Sequence, residues 1–476
     1  MFNTPAISDF KERMACKAPG PATKANPTVP TSFDQPVAER IFAAALAAHD
    51  SGATEDARLG FQRVSILEPS HMRPVAVLGS LERGCGNRAR AAELLNRAAV
   101  LDGGSAPVQY TLGNAHLDCG DLDLGRNAYR RALVISPAYE QAITNLGLLE
   151  IESADPIAAR RVLRRALIAD PASGVPRSLL GEVHLAAGAF TSGWPLYFTR
   201  MSEANRDRKL DGSPFWNGGP SAGGGLLLLG DGGIGDVLMH ARFLKQLKAP
   251  AGPVTPRAPA PLTALLQTAF PSITVTDLSA PAPGAGAWLP LSMLAMRLEV
   301  TPDAAGARSD YLARCFHGSA IRPGRRKVGL CWQGQDGTFR QRKRALPPTL
   351  LETLADIPHA DYLCLQVGSD AVEPRPALAM DNRTESYLGA EGMVRMARDM
   401  VDLDLVLTVD TYVAHLAGAL GIETWVMLPH GPEWRWGPRG DRTPWYPRAR
   451  LFRQSRQGDW DTVIAQVRGA MAARFQ

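Results

Sequence analysis

Leu226 to Arg242 reads LLLLGDGGIGDVLMHAR. Four consecutive leucines have the unbroken apolar character of a parallel strand buried on both faces. The glycines that follow permit a tight reversal, so Gly232, Gly233 and Gly235 are expected to shape a turn that delivers Asp236 at the start of a helix. A ligand is expected at this turn. Upstream of the stretch the chain repeats, and downstream it alternates between apolar runs and candidate helices, so the stretch also marks the main boundary.

Working outward toward the N-terminus, Leu78-Gly79, Leu112-Gly113, Leu146-Gly147 and Leu180-Gly181 recur 34 residues apart. Small and large residues follow four apart, as Ala57/Phe61, Ala91/Leu95, Gly125/Tyr129, Ala159/Leu163 and Gly193/Tyr197, and Pro69, Pro137 and Pro171 close units, with Gly103 in the fourth such place. This resembles the tetratricopeptide (TPR) pattern, in which small residues bring two helices together and large ones fill the gap to the next unit. Glu82, His116, Glu150 and His184 stand where that pattern wants an aromatic, so a polar concave face is expected, either solvated or in contact with a ligand. The repeats are expected over residues 36–205, behind a Pro-, Ala- and Thr-rich leader at 1–35 that is expected to be disordered.

A Gly-, Pro- and Ser-rich linker is expected at 206–225, with Phe215 and Trp216 tucked onto a neighbour. Apolar runs at Leu226–Leu229, Ile273–Val275, Val328–Trp332, Tyr362–Val367, Leu405–Val409 and Thr424–Leu428 alternate with candidate helices, which predicts parallel sheets. Residues 252–257, with Pro253 and Pro256, look too interrupted by proline for a clear second strand, and the basic segment 321–327 is expected to join two lobes, 226–322 and 323–476. Loops at the carboxyl ends of the strands would then form a cleft.

Composition limits the function classes. With 45% hydrophobic and 21% charged residues and a net charge of +5 over 476 residues, the chain reads as an ordinary soluble protein. Its six cysteines form no C-x-x-C pair, which speaks against a zinc site or a disulfide framework. No run has the length of a signal peptide or a membrane span, and a cytoplasmic location is expected. The D-x-D triplets at Asp121–Asp123 and Asp402–Asp404 are not read as metal ligands, and no metal or cofactor is expected.

Three further constellations bear on chemistry. Gly230, Gly232 and Gly235 also fit G-x-G-x-x-G, so a dinucleotide site remains open, with Arg257 imitating a partner for a 2'-phosphate; a turn that only packs helix on strand remains open too. Asp410, Thr411 and His415 sit where a strand ends and a helix begins, which suits either a diphosphate on free backbone amides or a plain N-cap. Trp332, then Arg340, Arg342, Lys343 and Arg344, would place an aromatic and four cations beside the same cleft, although such a run taken alone reads first as a solvated basic loop. That run lacks interleaved aromatics, so no nucleic-acid partner is expected. Trp434 and Trp436, in His430-Gly-Pro-Glu433-Trp-Arg435-Trp, either cover a sugar or base or anchor the final helix.

Taken together, G-D-V-L after the first strand, the basic element before Leu346-Pro347, the D-T-x-x-A-H-L-A-G-A-L-G segment and the W-R-W and P-W-Y-P segments resemble the family 9, heptosyltransferase-like glycosyltransferases, in a bacterial subgroup that carries TPR repeats. The resemblance implies a TPR solenoid followed by a GT-B pair of doubly wound α/β lobes. It also implies a nucleotide-sugar donor, and inversion at the anomeric carbon without a metal. By the same resemblance Asp236 matches the catalytic base, Arg344 a cation that steadies phosphates, and Asp410, Thr411 and His415 the donor motif. Lys343, Trp332, Trp434 and Trp436 are expected near the donor, and a protein or glycan acceptor is expected to reach the site by way of the TPR concave face. The other reading is a TPR scaffold whose sugar-transferase lobe has lost turnover.

Overall fold

In a computed structural model, residues 36–200, 213–219, 224–247, 252–280, 285–307, 309–316, 318, 326–334, 337–367 and 376–475 are described. The expected leader and parts of both expected linkers lie outside them. Among the described residues one compact unit comprises 36–150 and 157–176, and a second comprises 151–156 and 177–475. The division differs from the break expected at 205 and 226, because the last helices pack into the core that follows them.

The first unit is built from paired helices: α1 (Val37–Asp50) with α2 (Thr54–Leu67), α3 (Met72–Gly84) with α4 (Arg88–Leu101), α5 (Ala106–Cys119) with α6 (Leu122–Ile135), and α7 (Glu140–Glu152) with α8 (Pro156–Ala169). A TPR-like solenoid results. The glycines of the Leu-Gly pairs are small because of a neighbour inside their own pair. A Cβ added at Gly79, Gly113 or Gly147 would fall 2.5–2.8 Å from the side chain of Leu95, Tyr129 or Leu163. Gly113→Ala is accordingly expected to lower stability by about 1–3 kcal/mol through overpacking. A urea midpoint equal to that of the wild type would show that the two helices part at no cost.

The polar face expected at Glu82, His116 and Glu150 is not a solvated one. All three are buried. Glu82 lies 3.5 Å from Arg58 and accepts from Asn87, and Glu150 accepts from Arg126 at 3.1 Å. In both cases the arginine comes from the second helix of the preceding pair, so the carboxylate ties consecutive units together. His116 lies 3.7 Å from Asp121, and His184, in the second unit, meets Ser192 Oγ at 2.8 Å.

The second unit opens with α9 (Gly174–Ala186) and α10 (Phe190–Tyr197). Phe190, Trp194 and Phe198 are buried in one hydrophobic core with Leu226, Leu228 and Trp445. Two wholly parallel sheets follow. The first has the order β3-β2-β1-β4, formed by β1 (Leu226–Leu229), β2 (Val254–Ala258), β3 (Thr276–Asp277) and β4 (Ala287–Pro290). Helix α11 (Ile234–Ala241) follows β1, and α12 (Ala260–Ala269) follows β2. The strand at 254–258 corrects the expectation that proline excludes it. Pro253 O and Arg257 O accept from β1, so Pro256 turns its missing N–H toward β3, whose pairing begins only at Arg257. Phe215 bridges to Trp288 of β4, as expected of a linker aromatic.

The second sheet has the order β10-β9-β8-β5-β6-β7: β5 (Arg326–Cys331), β6 (Ala360–Cys364), β7 (Asp381–Asn382), β8 (Leu405–Val409), β9 (Thr424–Leu428) and β10 (Ala449–Arg453). Helices α13 (Gly392–Met400), α14 (Tyr412–Leu420) and α15 (Trp460–Phe475) complete it. Among the described residues, no helix is long and apolar enough to cross a membrane.

Candidate functional site

Leu226, Leu227 and Leu228 of β1 are buried and Leu229 is partly so, and the chain reverses at Gly232 with φ +83°, a left-handed conformation that favours glycine. The two acids of the turn do different things. Asp231 takes Ser292 N at 2.9 Å and Ser292 Oγ at 2.5 Å, which pins the turn to the end of β4. Asp236 stands in the first turn of α11, where Oδ2 accepts from Gly233 N at 2.9 Å and Oδ1 accepts from Arg435 Nη2 at 2.5 Å. Its side chain retains 31% exposure. Gly235 is small for another reason, since a Cβ there would lie 2.6 Å from His415 Cδ2. Helix α11 therefore rests directly on α14.

His415 is buried, stacks on Trp436 with centroids 5.6 Å apart, and places Nδ1 2.7 Å from Tyr446 Oη. Burial, aided by the Arg435 charge, pushes its pKa well below the ordinary histidine range. A neutral ring supplies no cation for phosphate, so His415 serves as the packing piece where α11 meets α14. Thr411 is the N-cap of α14, its Oγ1 accepting from Val413 N at 3.2 Å. Asp410, at the carboxyl end of β8, is buried 3.4 Å from Arg344 Nη1. Burial raises its pKa against the pull of that guanidinium.

Arg344 also pairs with Glu433, and Glu433 pairs with Arg435. A continuous chain of charges, Asp410, Arg344, Glu433, Arg435 and Asp236, thus joins the carboxyl ends of β8 and β1. The short helix Phe339–Arg342 and the residues just after it supply the other cations. Arg340 pairs with Glu152 at 2.5 Å and with Glu182, while Lys343 pairs with Glu152 at 2.6 Å and donates to His430 O at 3.0 Å. Lys343, expected to face a donor phosphate, is instead committed to a buried carboxylate. Five carboxylates face four cations in this cluster.

Glu433, Arg435, Glu152 and Glu182 had no assigned role in the sequence reading. The first two lie in the W-R-W segment, where the spacing of charges was visible without their partners. The last two carry no local signal.

The tryptophans expected to cover a sugar or base are core residues. Trp332, Trp434 and Trp436 are each buried. Trp434 meets Trp194 and Trp445 edge-on at 5.4 and 5.5 Å, and Trp332 packs in the core beneath the second sheet. Arg257 is also unsuited to a 2'-phosphate, since it is buried and its Nη2 donates to Leu278 O at 2.8 Å and to Ala280 O. Trp436 Nε1 and Asp410 Oδ2 are buried without a completed hydrogen bond. An ordered water or a ligand hydroxyl, which can accept from the indole and donate to the carboxylate, would satisfy both.

The acids of this cluster set an acid limit. Burial raises the pKa of Glu152, but Lys343 and Arg340 outweigh it and leave the group below the usual carboxylate range. Glu433 is likewise held below that range, with Arg435 and Arg344 outweighing burial. A carboxyl whose pKa is depressed by folding contributes stability above its unfolded value, about 4.3, and loses it as pH falls. Asp410, whose pKa is raised, works in the opposite sense. The expected result is a urea midpoint that drops from about pH 6 to about pH 3.5, with a shallower drop in Glu433→Gln. Equal slopes in the two proteins would remove Glu433 from the account.

Fold and site together define a protein class: a TPR-like helical solenoid in one chain with a parallel-sheet α/β unit whose strand ends carry a paired-charge cluster. No family model matches the chain. Over 323 residues, 60% of its length, it is 26% identical to Protein FlbA of Caulobacter vibrioides. It covers 53% of that protein, so the chain spans about half the length of the curated relative it matches. Among solved structures it is similar to MamA of Desulfovibrio magneticus RS-1, with 17% identity, 36% of this chain and 97% of that chain covered, and a TM-score of 0.34. It is also similar to a tetratricopeptide repeat protein of Parabacteroides merdae, with 18% identity, 36% and 68% covered, and a TM-score of 0.34. At these values the likenesses add nothing to the reading of the site.

Proposed function

We propose that the α/β unit is a GT-B glycosyltransferase that moves a sugar from a nucleotide-diphosphate donor to a hydroxyl acceptor, protein or glycan, with inversion and without a metal. The observation that supports this reading is the charge chain from Asp236 to Asp410, which joins a half-exposed carboxylate to the strand end where a diphosphate would lie. In the proposed step Asp236 leaves its bond to Arg435 and takes the acceptor proton. The acceptor oxygen bonds to the anomeric carbon as the bond to the diphosphate oxygen breaks, and the nucleotide diphosphate departs as an anion. Arg344, released from Glu433, and the backbone amides at the start of α14 would hold it. The repeats would recruit the acceptor or a partner, and the cytoplasm is the proposed location.

One observation favours a second reading, a TPR scaffold with an inactive α/β unit. The cations of the cluster are already balanced by carboxylates, so a diphosphate must displace a resident acid. Calorimetric titration of the full chain with a panel of nucleotide sugars and NADPH separates the readings. Heat from one or a few nucleotide sugars is expected. No binding across the panel supports the scaffold, and NADPH binding alone returns the site to the dinucleotide reading.

A further inference from the structure

The solenoid displays an apolar ladder that its own packing does not use. Ile66, Val100, Val134 and Ile168 stand 34 residues apart near the ends of α2, α4, α6 and α8, and they are 69%, 85%, 82% and 82% exposed. Leu67, Leu101 and Ile135 extend the rungs and are exposed as well. Single exposed apolar residues are ordinary. The same exposed position filled with a branched apolar side chain in four successive units is a regular apolar row, and repeated exposed apolar surface of this kind marks an interaction site.

A second series runs beside the first. Arg63, Arg97, Arg131 and Arg165 are also 34 residues apart, all exposed, each three positions before a rung and so on the same helix face. Among the described residues none of the four is in an ion pair. Arg97 and Arg165 each donate through Nη2 to the carbonyl of Pro69 or Pro137 in the preceding turn, at 2.9 and 3.2 Å, which lays the guanidinium across the junction between units. The acids nearest the rungs are engaged locally: Glu68 with His71, and Asp102 and Asp170 with the backbone N–H groups of Gly104 and Ala172. The strip is therefore apolar with a regular row of arginines outside any ion pair among the described residues, and its complement is apolar with regular negative charge.

We propose that this edge of the solenoid docks an acidic polypeptide segment studded with apolar side chains, the apolar groups covering the ladder and the carboxylates meeting Arg63, Arg97, Arg131 and Arg165. The proposal is independent of any chemistry in the α/β unit. The test titrates the full chain with three labelled synthetic peptides: an amphipathic Glu/Leu sequence, its Lys/Leu counterpart and a Glu/Ser sequence.

Only the Glu/Leu peptide is expected to bind. Two quadruple variants, one changing Ile66, Val100, Val134 and Ile168 to Ser and the other changing the four arginines to Gln, are each expected to bind about tenfold or more weakly. Because every altered position is exposed, circular dichroism and the urea midpoint are expected to stay at their wild-type values. Equal affinity for the Lys/Leu peptide, no binding of the Glu/Leu peptide, or wild-type affinity in either variant overturns the proposal. So does a concentration-dependent dimer that the serine variant dissolves, which would assign the strip to a second copy of this chain.

Discussion

Asp236→Asn is expected to lower the turnover number by about 10²- to 10⁴-fold, the contribution of a positioned general base, while donor binding stays within error of wild type. The substitution is close to isosteric. An Asn oxygen can still accept from Gly233 N, so the start of α11 keeps its cap, while the NH2 that replaces Oδ1 removes both the charge and the acceptor facing Arg435. That separates a catalytic role from a structural one. If Asp236 does no more than cap the helix and neutralise Arg435, the variant loses stability and retains turnover. Asp236→Glu adds a second arm. It restores the carboxylate one methylene away and is expected to recover part of the rate, because a base must reach the proton it takes. Initial rates and donor titration on the same preparations decide the matter.

Glu152→Gln is expected to destabilise the α/β unit by about 3–5 kcal/mol, the cost of leaving the buried Lys343 without its counter-charge, while Arg340 keeps Glu182. Its carboxylate is the shared partner of Arg340 and Lys343, and its side chain is 1% exposed. The loss should be partly repaired by Lys343→Met in the same chain, since removing both partners of a buried pair is far cheaper than removing one. A second readout tests the proposed function. With Glu152 neutral, Lys343 loses its carboxylate partner, so pyrophosphate should bind more tightly to Glu152→Gln than to wild type. Loss of stability with no gain in pyrophosphate affinity would make this basic loop a structural clasp and move the donor phosphates elsewhere.

The repeats were legible because their signal is local and periodic. Leu-Gly pairs and the small and large residues that follow specify which helix meets which, and the close approach of Gly113 to Tyr129 is the contact that pattern implies. The leucines of β1 and the turn after them were equally plain. Other elements misled for physical reasons. Proline at 256 argued against a strand, yet its effect depends on which neighbour the missing N–H faces, and that is a property of the sheet. Glu82 and Glu150 read as surface residues, yet each is buried against an arginine of the preceding unit. The tryptophans of the W-R-W segment read equally as covers for a ligand or as anchors for the final helix, and Trp194 and Trp445 occupy the space beside Trp434.

By itself the sequence determined a run of paired helices followed by parallel strands, with Asp236 at a helix start and Asp410 at a strand end, because those features depend on neighbours a few residues away. Only the tertiary structure decided the partners of those acids. Asp236 is held by an arginine 199 positions later, and Arg340 by a glutamate 158 positions earlier. Electrostatic pairing acts through space over a few ångströms, so no spacing along the chain could announce that the cations near the cleft arrive already neutralised.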